Sequence, residues 1–129
     1  METIEFILYV SDQARSTDFY GKLLELQPTL NVPGMTEFNL SENVKLGLMP
    51  ESGIAKIISP AMPHPERGNG IPRCEIYLKI KDPETYLERA LTLGGKIISP
   101  LYARNWGDTV GYLTDLDGHV IAFAKTTVH

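Results

Sequence analysis

The stretch WGDTVGYLTDLDGHVIAFA, residues 106–124, contains the pattern that decides the fold. Residues 108–113 and 119–124 are short segments rich in residues that favour β-strands. Between them, Asp115-Leu116-Asp117-Gly118 has the composition of a tight turn. The stretch is therefore predicted to form a β-hairpin near the C-terminus.

The element order that leads into this hairpin occurs twice along the chain. In the second half, the strand CEIYLKI (74–80) precedes a helix that begins at Asp82-Pro83, a strand KIISPLY and the hairpin. In the first half, the strand IEFILYV (4–10) precedes a helix that begins at Asp12 and three short strands, TLNV, MTEFNL and VKLGLM. An internal repeat of this kind predicts two βαβββ modules.

The two modules are expected to form a single domain of the α+β class. The first module covers about residues 1–50 and the second covers residues 73–129. Residues 51–72 are rich in Pro and Gly and long for a loop in a compact domain. They are predicted to be a linker or a lid rather than a structured element.

Charge and cysteine content exclude several classes of protein. A net charge of −4 argues against nucleic-acid binding and leaves room for a cationic ligand. The single cysteine, Cys74, allows no intrachain disulfide and is expected to be a buried, inert thiol. The N-terminal apolar run FILYV is too short for a signal peptide or a membrane span, so a cytoplasmic protein without membrane association is expected.

Three motifs, in this order, resemble the vicinal-oxygen-chelate superfamily of glyoxalases, extradiol dioxygenases and bleomycin-resistance proteins. They are VSDQARSTDFYGKLL (10–24), CEIYLKIKDPETYLERALTLGGK (74–96) and WGDTVGYLTDLDGHVIAF (106–123). The Trp-Gly pair before the hairpin is most similar to bleomycin-resistance-like members, whereas Leu116 stands where the family commonly has Pro. The resemblance implies curved mixed sheets with a concave cleft and a homodimer formed by pairing of modules.

Side chains alternate between the two faces of each strand. The faces predicted to lie under the helices are apolar: Ile4, Phe6, Leu8 and Val10 in the first module, Cys74, Ile76, Leu78 and Ile80 in the second. The opposite faces carry two carboxylates, Glu5 and Glu75, together with Tyr9 and Tyr77. The resemblance implies that these opposite faces line the ligand-binding cleft.

The resemblance also places the metal ligands of metal-dependent relatives at Glu5, Gly47, Glu75 and Ala122. Two of these four residues have no atom that coordinates a metal. Zn, Ni and Fe sites use three or more protein ligands with imidazole among them. No cofactor is therefore expected, and the alternative is a weakly bound divalent metal on the two carboxylates.

Glu5 and Glu75 are the candidate catalytic residues. If they share one cavity, repulsion raises the pKa of one of them, and the pair acts as a general base or holds a cationic ligand. The alternative is that each forms a surface ion pair, with Arg73 or Lys79 nearest to Glu75 in sequence.

Five aromatic residues are candidates for ligand binding. Trp106 is suited to stacking on a planar ligand, with Tyr9, Tyr77, Tyr102 and Tyr112 as further walls. The alternative for Trp106 is a partly buried core residue beside a turn.

The sequence leaves three functions open. The first is a small-molecule-binding protein that sequesters a planar or cationic compound, as bleomycin-resistance-like members do. The second is a lyase, isomerase or dioxygenase of the glyoxalase type that uses Glu5 or Glu75 with a weakly held divalent metal. The third is a dimeric structural or regulatory module whose cavity has closed. The absence of donor atoms at Gly47 and Ala122 favours the first.

Overall fold

A computed structural model of the protein describes residues 1–128. Its first half contains β1 (Ile4–Val10), α1 (Gln13–Leu24), β2 (Leu30–Val32), β3 (Met35–Ser41), β4 (Val44–Pro50), α2 (Glu51–Ile58) and a 3₁₀ turn at Pro65–Gly68. Its second half contains β5 (Glu75–Lys79), α3 (Pro83–Thr92), β6 (Lys96–Ala103), β7 (Asp108–Thr114) and β8 (Val120–Thr126). The chain divides into two compact units, one ending at Asn69 and the other beginning at Gly70.

Each unit is built on one four-stranded mixed sheet. The strand order is β1-β4-β3-β2 in the first unit and β5-β8-β7-β6 in the second. In both sheets the first strand of the module runs parallel to its last strand, and the other neighbours are antiparallel. The predicted repeat of two βαβββ modules and the α+β class are therefore confirmed.

The two longer helices begin at the predicted residues. Asp12 accepts a hydrogen bond from the backbone N–H of Arg15 (3.1 Å), and Asp82 accepts one from the backbone N–H of Thr85 (3.3 Å). Each cap satisfies an N–H group that the first turn of a helix leaves unpaired. Helix α1 then packs on β3 and β4, and α3 packs on β6, β7 and β8.

The core of each unit lies between its helix and its sheet. In the first unit it contains Phe19, Tyr20, Leu23, Phe38, Leu46 and Leu48; in the second it contains Leu87, Ala90, Leu113, Ile121 and Phe123. All of these side chains are buried, and Tyr86 packs beside Phe123 with 5.1 Å between ring centroids. Because strand side chains alternate, the other face of each sheet is left for different residues.

The prediction that residues 51–72 lack regular structure is wrong. Helix α2 begins at Glu51, directly after β4, and buries Ile54 and Ala55. It contacts both β4 and β1. The Pro-rich and Gly-rich composition that suggested a linker describes only the part after Ser59. None of the helices in residues 1–128 is both long enough and apolar enough to span a membrane.

Two predictions of burial on the edge strands are also wrong. Ile4 and Phe6 are 41% and 54% exposed, although Leu8 and Val10 on the same face of β1 are buried. Cys74 is exposed rather than buried. The reason is topological: β1 and β5 are edge strands, and α1 and α3 pack mainly on the other strands of their sheets. An alternating apolar pattern indicates which face a residue is on, but it does not indicate how far the helix reaches.

Candidate functional site

A pair of glutamates lies on the face of the first sheet opposite α1. Glu5 in β1 is paired in register with Lys45 in β4, and Glu37 in β3 is paired with Gly47 in β4. Gly47 is also the register partner of Ile7. The two glutamates therefore approach each other across β4, on either side of a residue that has no side chain.

Glu5 is held in an unusual electrostatic environment. Its Oε2 atom is buried and has no hydrogen-bond partner among the described residues when the group is ionised. Burial raises the pKa of Glu5, and so do a hydrogen bond that its protonated form makes with Glu37 and the negative charge of Glu37. The ammonium group of Lys45 opposes the shift, but it also lies 3.6 Å from Glu37. Glu5 therefore holds a proton more tightly than an exposed glutamate does.

Gly47 makes this arrangement possible. A Cβ atom at position 47 would collide with Oε2 of Glu5 and would lie 3.0 Å from Cγ1 of Ile7. The Glu5 carboxyl therefore fills the space that the absence of a side chain at position 47 leaves. Gly47, which offers no metal donor, is thus the residue that allows the Glu5 carboxyl to be buried.

A second polar cluster lies on the face of the second sheet opposite α3. The Tyr77 hydroxyl donates a hydrogen bond of 2.6 Å to Oδ2 of Asp108 and accepts one of 3.0 Å from Nε1 of Trp106. The Lys79 ammonium lies 3.3 Å from Oδ1 of Asp108 and donates to the Thr126 hydroxyl at 2.9 Å. These five residues, Tyr77, Lys79, Trp106, Asp108 and Thr126, are called the Tyr77 network below.

Asp108 is the centre of the Tyr77 network. Hydrogen bonds from Tyr77 and Lys79 lower the pKa of Asp108. The pKa of Tyr77 is raised, first by loss of water around the phenol and then by its bond to Asp108. Asp108 is therefore ionised at neutral pH and accepts, while Tyr77 donates to it. The alternative in which Lys79 pairs with Glu75 is not observed, and Glu75 is exposed.

Ala122 lies under this surface rather than on an open wall. It is fully buried, together with Val110 and Ala124, and Tyr112 packs against the three. The Tyr112 side chain thus covers the space beside Ala122 on this face.

Arg104 has a structural role in the second unit. Its guanidinium lies 5.3 Å from the ring centroid of Tyr112 and 5.4 Å from that of Tyr102. It also donates to the carbonyl groups of Val110 and Pro100. The guanidinium thereby supports the Tyr112 ring from the side of β6.

The predicted site residues divide between the two units. Glu5 and Tyr9 belong to the first unit, whereas Glu75, Tyr77, Trp106 and Tyr112 belong to the second. Tyr77 and Trp106 are brought into direct contact. That Glu5 and Glu75 line one cavity stays a prediction.

Four polar residues of the two clusters were missed by sequence reasoning: Glu37, Lys45, Asp108 and Thr126. Strand parity places Lys45 opposite the helix, but only the register shows that Glu37 and Glu5 meet at Gly47. One indication for Asp108 was present in the sequence, because it stands two residues after the predicted site residue Trp106. Its partner Tyr77 is 31 residues away.

The residues present do not fit a tightly bound metal at the family's ligand positions. Gly47 and Ala122 offer no donor, and the first of these positions is filled by the Glu5 carboxyl. Glu5 has Lys45 as its register partner, and this cation disfavours a second one at the same place. Two carboxylates without imidazole fall short of a Zn, Ni or Fe site.

A further group of metal-type ligands occurs in the β7–β8 turn, where Asp115, Asp117 and His119 have donor atoms within 4.8 Å of one another. Oδ1 of Asp115 accepts hydrogen bonds from the backbone N–H groups of Asp117 and His119, both at 2.9 Å. Oδ2 of Asp115 lies 2.8 Å from Nδ1 of His119. These hydrogen bonds stabilise the turn, and they explain why the three side chains lie close together.

The comparisons with known proteins agree with this geometry. The family model of the Glyoxalase/Bleomycin resistance protein/Dioxygenase superfamily matches residues 3–123. The chain belongs to this superfamily. It is 26% identical over 115 residues to the uncharacterised protein Mb0911c of Mycobacterium bovis, a match that covers 87% of this chain and 75% of that protein.

Some solved structures of similar fold are named as enzymes, and others are named as binding proteins. A glyoxalase-related enzyme from Fulvimarina pelagi matches with a TM-score of 0.81 and 19% identity, covering 98% of this chain and 88% of that one. TnmS3, an antibiotic-binding protein from a Streptomyces species, matches with a TM-score of 0.70 and 20% identity, covering 98% and 97% of the two chains. At these identities the likeness shows the fold alone.

Proposed function

We propose that the protein binds and sequesters a small organic molecule that has a flat aromatic part, without converting it. The observation that carries this proposal is the state of Trp106. Its indole is 56% exposed, yet its N–H group is held by Tyr77. A large apolar ring that is both exposed and fixed in orientation gains free energy when a flat molecule covers it, and it loses little conformational entropy on doing so.

The surface charge supports a ligand that also has a cationic group. The chain has a net charge of −4, and an acidic surface attracts positively charged ligands. The Streptomyces protein named as antibiotic-binding is a precedent for small-molecule binding on the same fold.

A catalytic function is the second candidate, and the raised pKa of Glu5 favours it. A carboxyl that keeps its proton nearer to neutral pH is suited to general acid–base catalysis. The corresponding enzyme is a lyase, isomerase or dioxygenase of the superfamily. A changed ligand recovered after incubation with the protein would support this candidate, and an unchanged ligand supports sequestration.

The binding test uses the fact that Trp106 is the only tryptophan. Ethidium, a flat cation, is expected to quench the fluorescence of Trp106, and tetraethylammonium, a cation without a flat ring, is expected not to. Trp106→Leu should weaken ethidium binding by about tenfold or more, measured by the dye's own fluorescence. The matched control is Leu91→Ala, because Leu91 is 59% exposed in the same unit but lies in α3, outside the Tyr77 network. Equal affinity of Trp106→Leu and the parent would reject the proposed site.

We also propose that the protein has no resident metal. Protein purified without added metal is expected to contain far less than one Zn, Ni, Fe or Mn per chain, because Gly47 and Ala122 provide no ligands. Elemental analysis measures this directly. A content near one metal per chain that only a strong chelator removes contradicts the proposal.

A further inference from the structure

The Tyr77 network connects residues from four separate segments of the second unit. Tyr77 and Lys79 lie in β5, Asp108 begins β7, Thr126 ends β8, and Trp106 precedes β7. Strand β8 lies between β5 and β7 in the sheet. The hydrogen bond between Tyr77 and Asp108 therefore spans β8, and the Tyr77 side chain extends over the sheet face to make it.

The register explains how the Tyr77 side chain fits there. Tyr77 is paired with Ala122, whereas Asp108 is paired with Thr126, four residues further along β8. The intervening residue on this face is Ala124, and both alanines are fully buried. Small side chains at these two positions leave room for the phenol to lie along the sheet. The Tyr77 hydroxyl thereby reaches Asp108 across β8.

Each hydrogen bond in the network has a fixed direction. An ionised carboxylate accepts only, so the single proton of the Tyr77 hydroxyl is committed to Asp108. The hydroxyl oxygen is then left as an acceptor, which matches the indole N–H of Trp106, a group that donates only. Lys79 occupies the other oxygen of Asp108 and is itself held by Thr126. The side chain of Asp108 is 13% exposed, whereas that of Lys79 is 53% exposed.

We infer that Asp108 is the positioning residue of the ligand site, because it fixes the orientation of the Trp106 indole through the Tyr77 hydroxyl. This inference rests on the proposed function for its effect on binding, but the orientation of Trp106 is measurable without any ligand. No aromatic side chain within residues 1–128 stacks on Trp106. The hydrogen bond from its N–H group is thus the directional contact that determines which face of the indole a ligand meets.

The test begins with ligand-free protein and the fluorescence of Trp106. Asp108→Ala should lower the fluorescence anisotropy of Trp106 and increase its quenching by acrylamide, because Tyr77 loses the acceptor that holds it. Asp108→Asn should retain most of the parent's values, since its side-chain carbonyl still accepts from Tyr77. Tyr77→Phe removes the same link from the other side and should resemble Asp108→Ala.

Ethidium affinity is then measured on the same proteins. Asp108→Ala and Tyr77→Phe should each weaken binding by about tenfold, and Asp108→Asn should weaken it much less. The matched control is Asp18→Ala, because Asp18 also pairs with a lysine, Lys22 at 3.0 Å, but on the exposed surface of α1. Circular dichroism and the thermal midpoint establish that each variant is folded.

Different results would contradict the positioning role of Asp108 and the proposed binding function. If Asp108→Ala leaves the anisotropy and quenching of Trp106 unchanged, Asp108 does not position the indole and the inference is wrong. If the anisotropy falls but ethidium binds as tightly as before, the positioning role stands and the proposed contact of Trp106 with the ligand is overturned. If the parent does not bind ethidium at all, binding of a flat cation is rejected, and the ligand-free measurement still decides the role of Asp108.

Discussion

Gly111→Ala is expected to lower the free energy of unfolding by about 1–3 kcal/mol, the usual cost of overpacking a core. Gly111 is buried in β7 on the face that α3 covers. A Cβ atom added there would lie 2.5 Å from Cδ1 of Leu87 and 3.3 Å from Cγ of Leu101. Since Leu87 is itself buried, α3 must move away from the sheet or Leu87 must leave its rotamer. Denaturant unfolding at constant pH measures the change.

A double-mutant cycle identifies the cause of this loss. Leu87→Ala alone should cost about 2–5 kcal/mol, and the double variant should cost less than the sum, because the added methyl group enters the space that Leu87 vacates. Gly68→Ala is the matched control, since a Cβ there has no neighbour within 4 Å. Strict additivity of the two changes would mean that Gly111 and Leu87 are not coupled.

Glu5→Gln is expected to stabilise the protein at neutral pH and to flatten the dependence of its stability on pH. The folded-state pKa of Glu5 is raised, so the folded protein binds a proton more tightly than the unfolded chain does. The stabilisation from this proton is complete below the unfolded pKa and is lost as the pH rises through the folded pKa. A glutamine needs no such proton, and its amide group donates to Glu37 at every pH. The gain above the folded pKa should be about 1 kcal/mol.

Unfolding curves of the parent and Glu5→Gln, measured from pH 4 to pH 8, test this expectation. They should coincide near the acid end and diverge as the pH rises. Glu75→Gln is the matched control, because Glu75 occupies the equivalent strand position in the second unit but is exposed. Parallel curves for the parent and Glu5→Gln would show that Glu5 has no unusual proton affinity.

Gly47→Ala should also flatten the pH dependence of stability, by a different mechanism. The added methyl group collides with Oε2 of Glu5, the mobile end of a side chain, so the carboxyl should move toward solvent. Glu5 then regains water, and its influence on the pH dependence of stability should disappear. Combining Gly47→Ala with Glu5→Gln should therefore flatten the pH profile no further than either change alone.

Local patterns in the sequence were sufficient to predict the fold. The β-favouring segments, the caps at Asp12 and Asp82 and the Asp115–Gly118 turn depend on neighbouring residues only. The repeat of these signals predicted two βαβββ modules, which the structure confirms. The same local signals placed Glu5, Tyr77 and Ala122 correctly on the face opposite the helices, because the alternation of a strand is a property of the backbone.

The features that the sequence did not determine are contacts between strands that lie far apart in sequence. Alternation says which face a side chain is on, but strand order and register decide its neighbours, and these are set by pairing between distant segments. Hence the pairing of Glu5 with Glu37 beside Gly47, and of Tyr77 with Asp108 across β8, became visible only in the tertiary structure. The exposure of Phe6 and Cys74 was likewise decided by the reach of the helices over the edge strands. The sequence by itself determined the elements and their faces, whereas the tertiary structure decided which polar groups meet, because a hydrogen bond or a shared proton requires contact within a few ångströms.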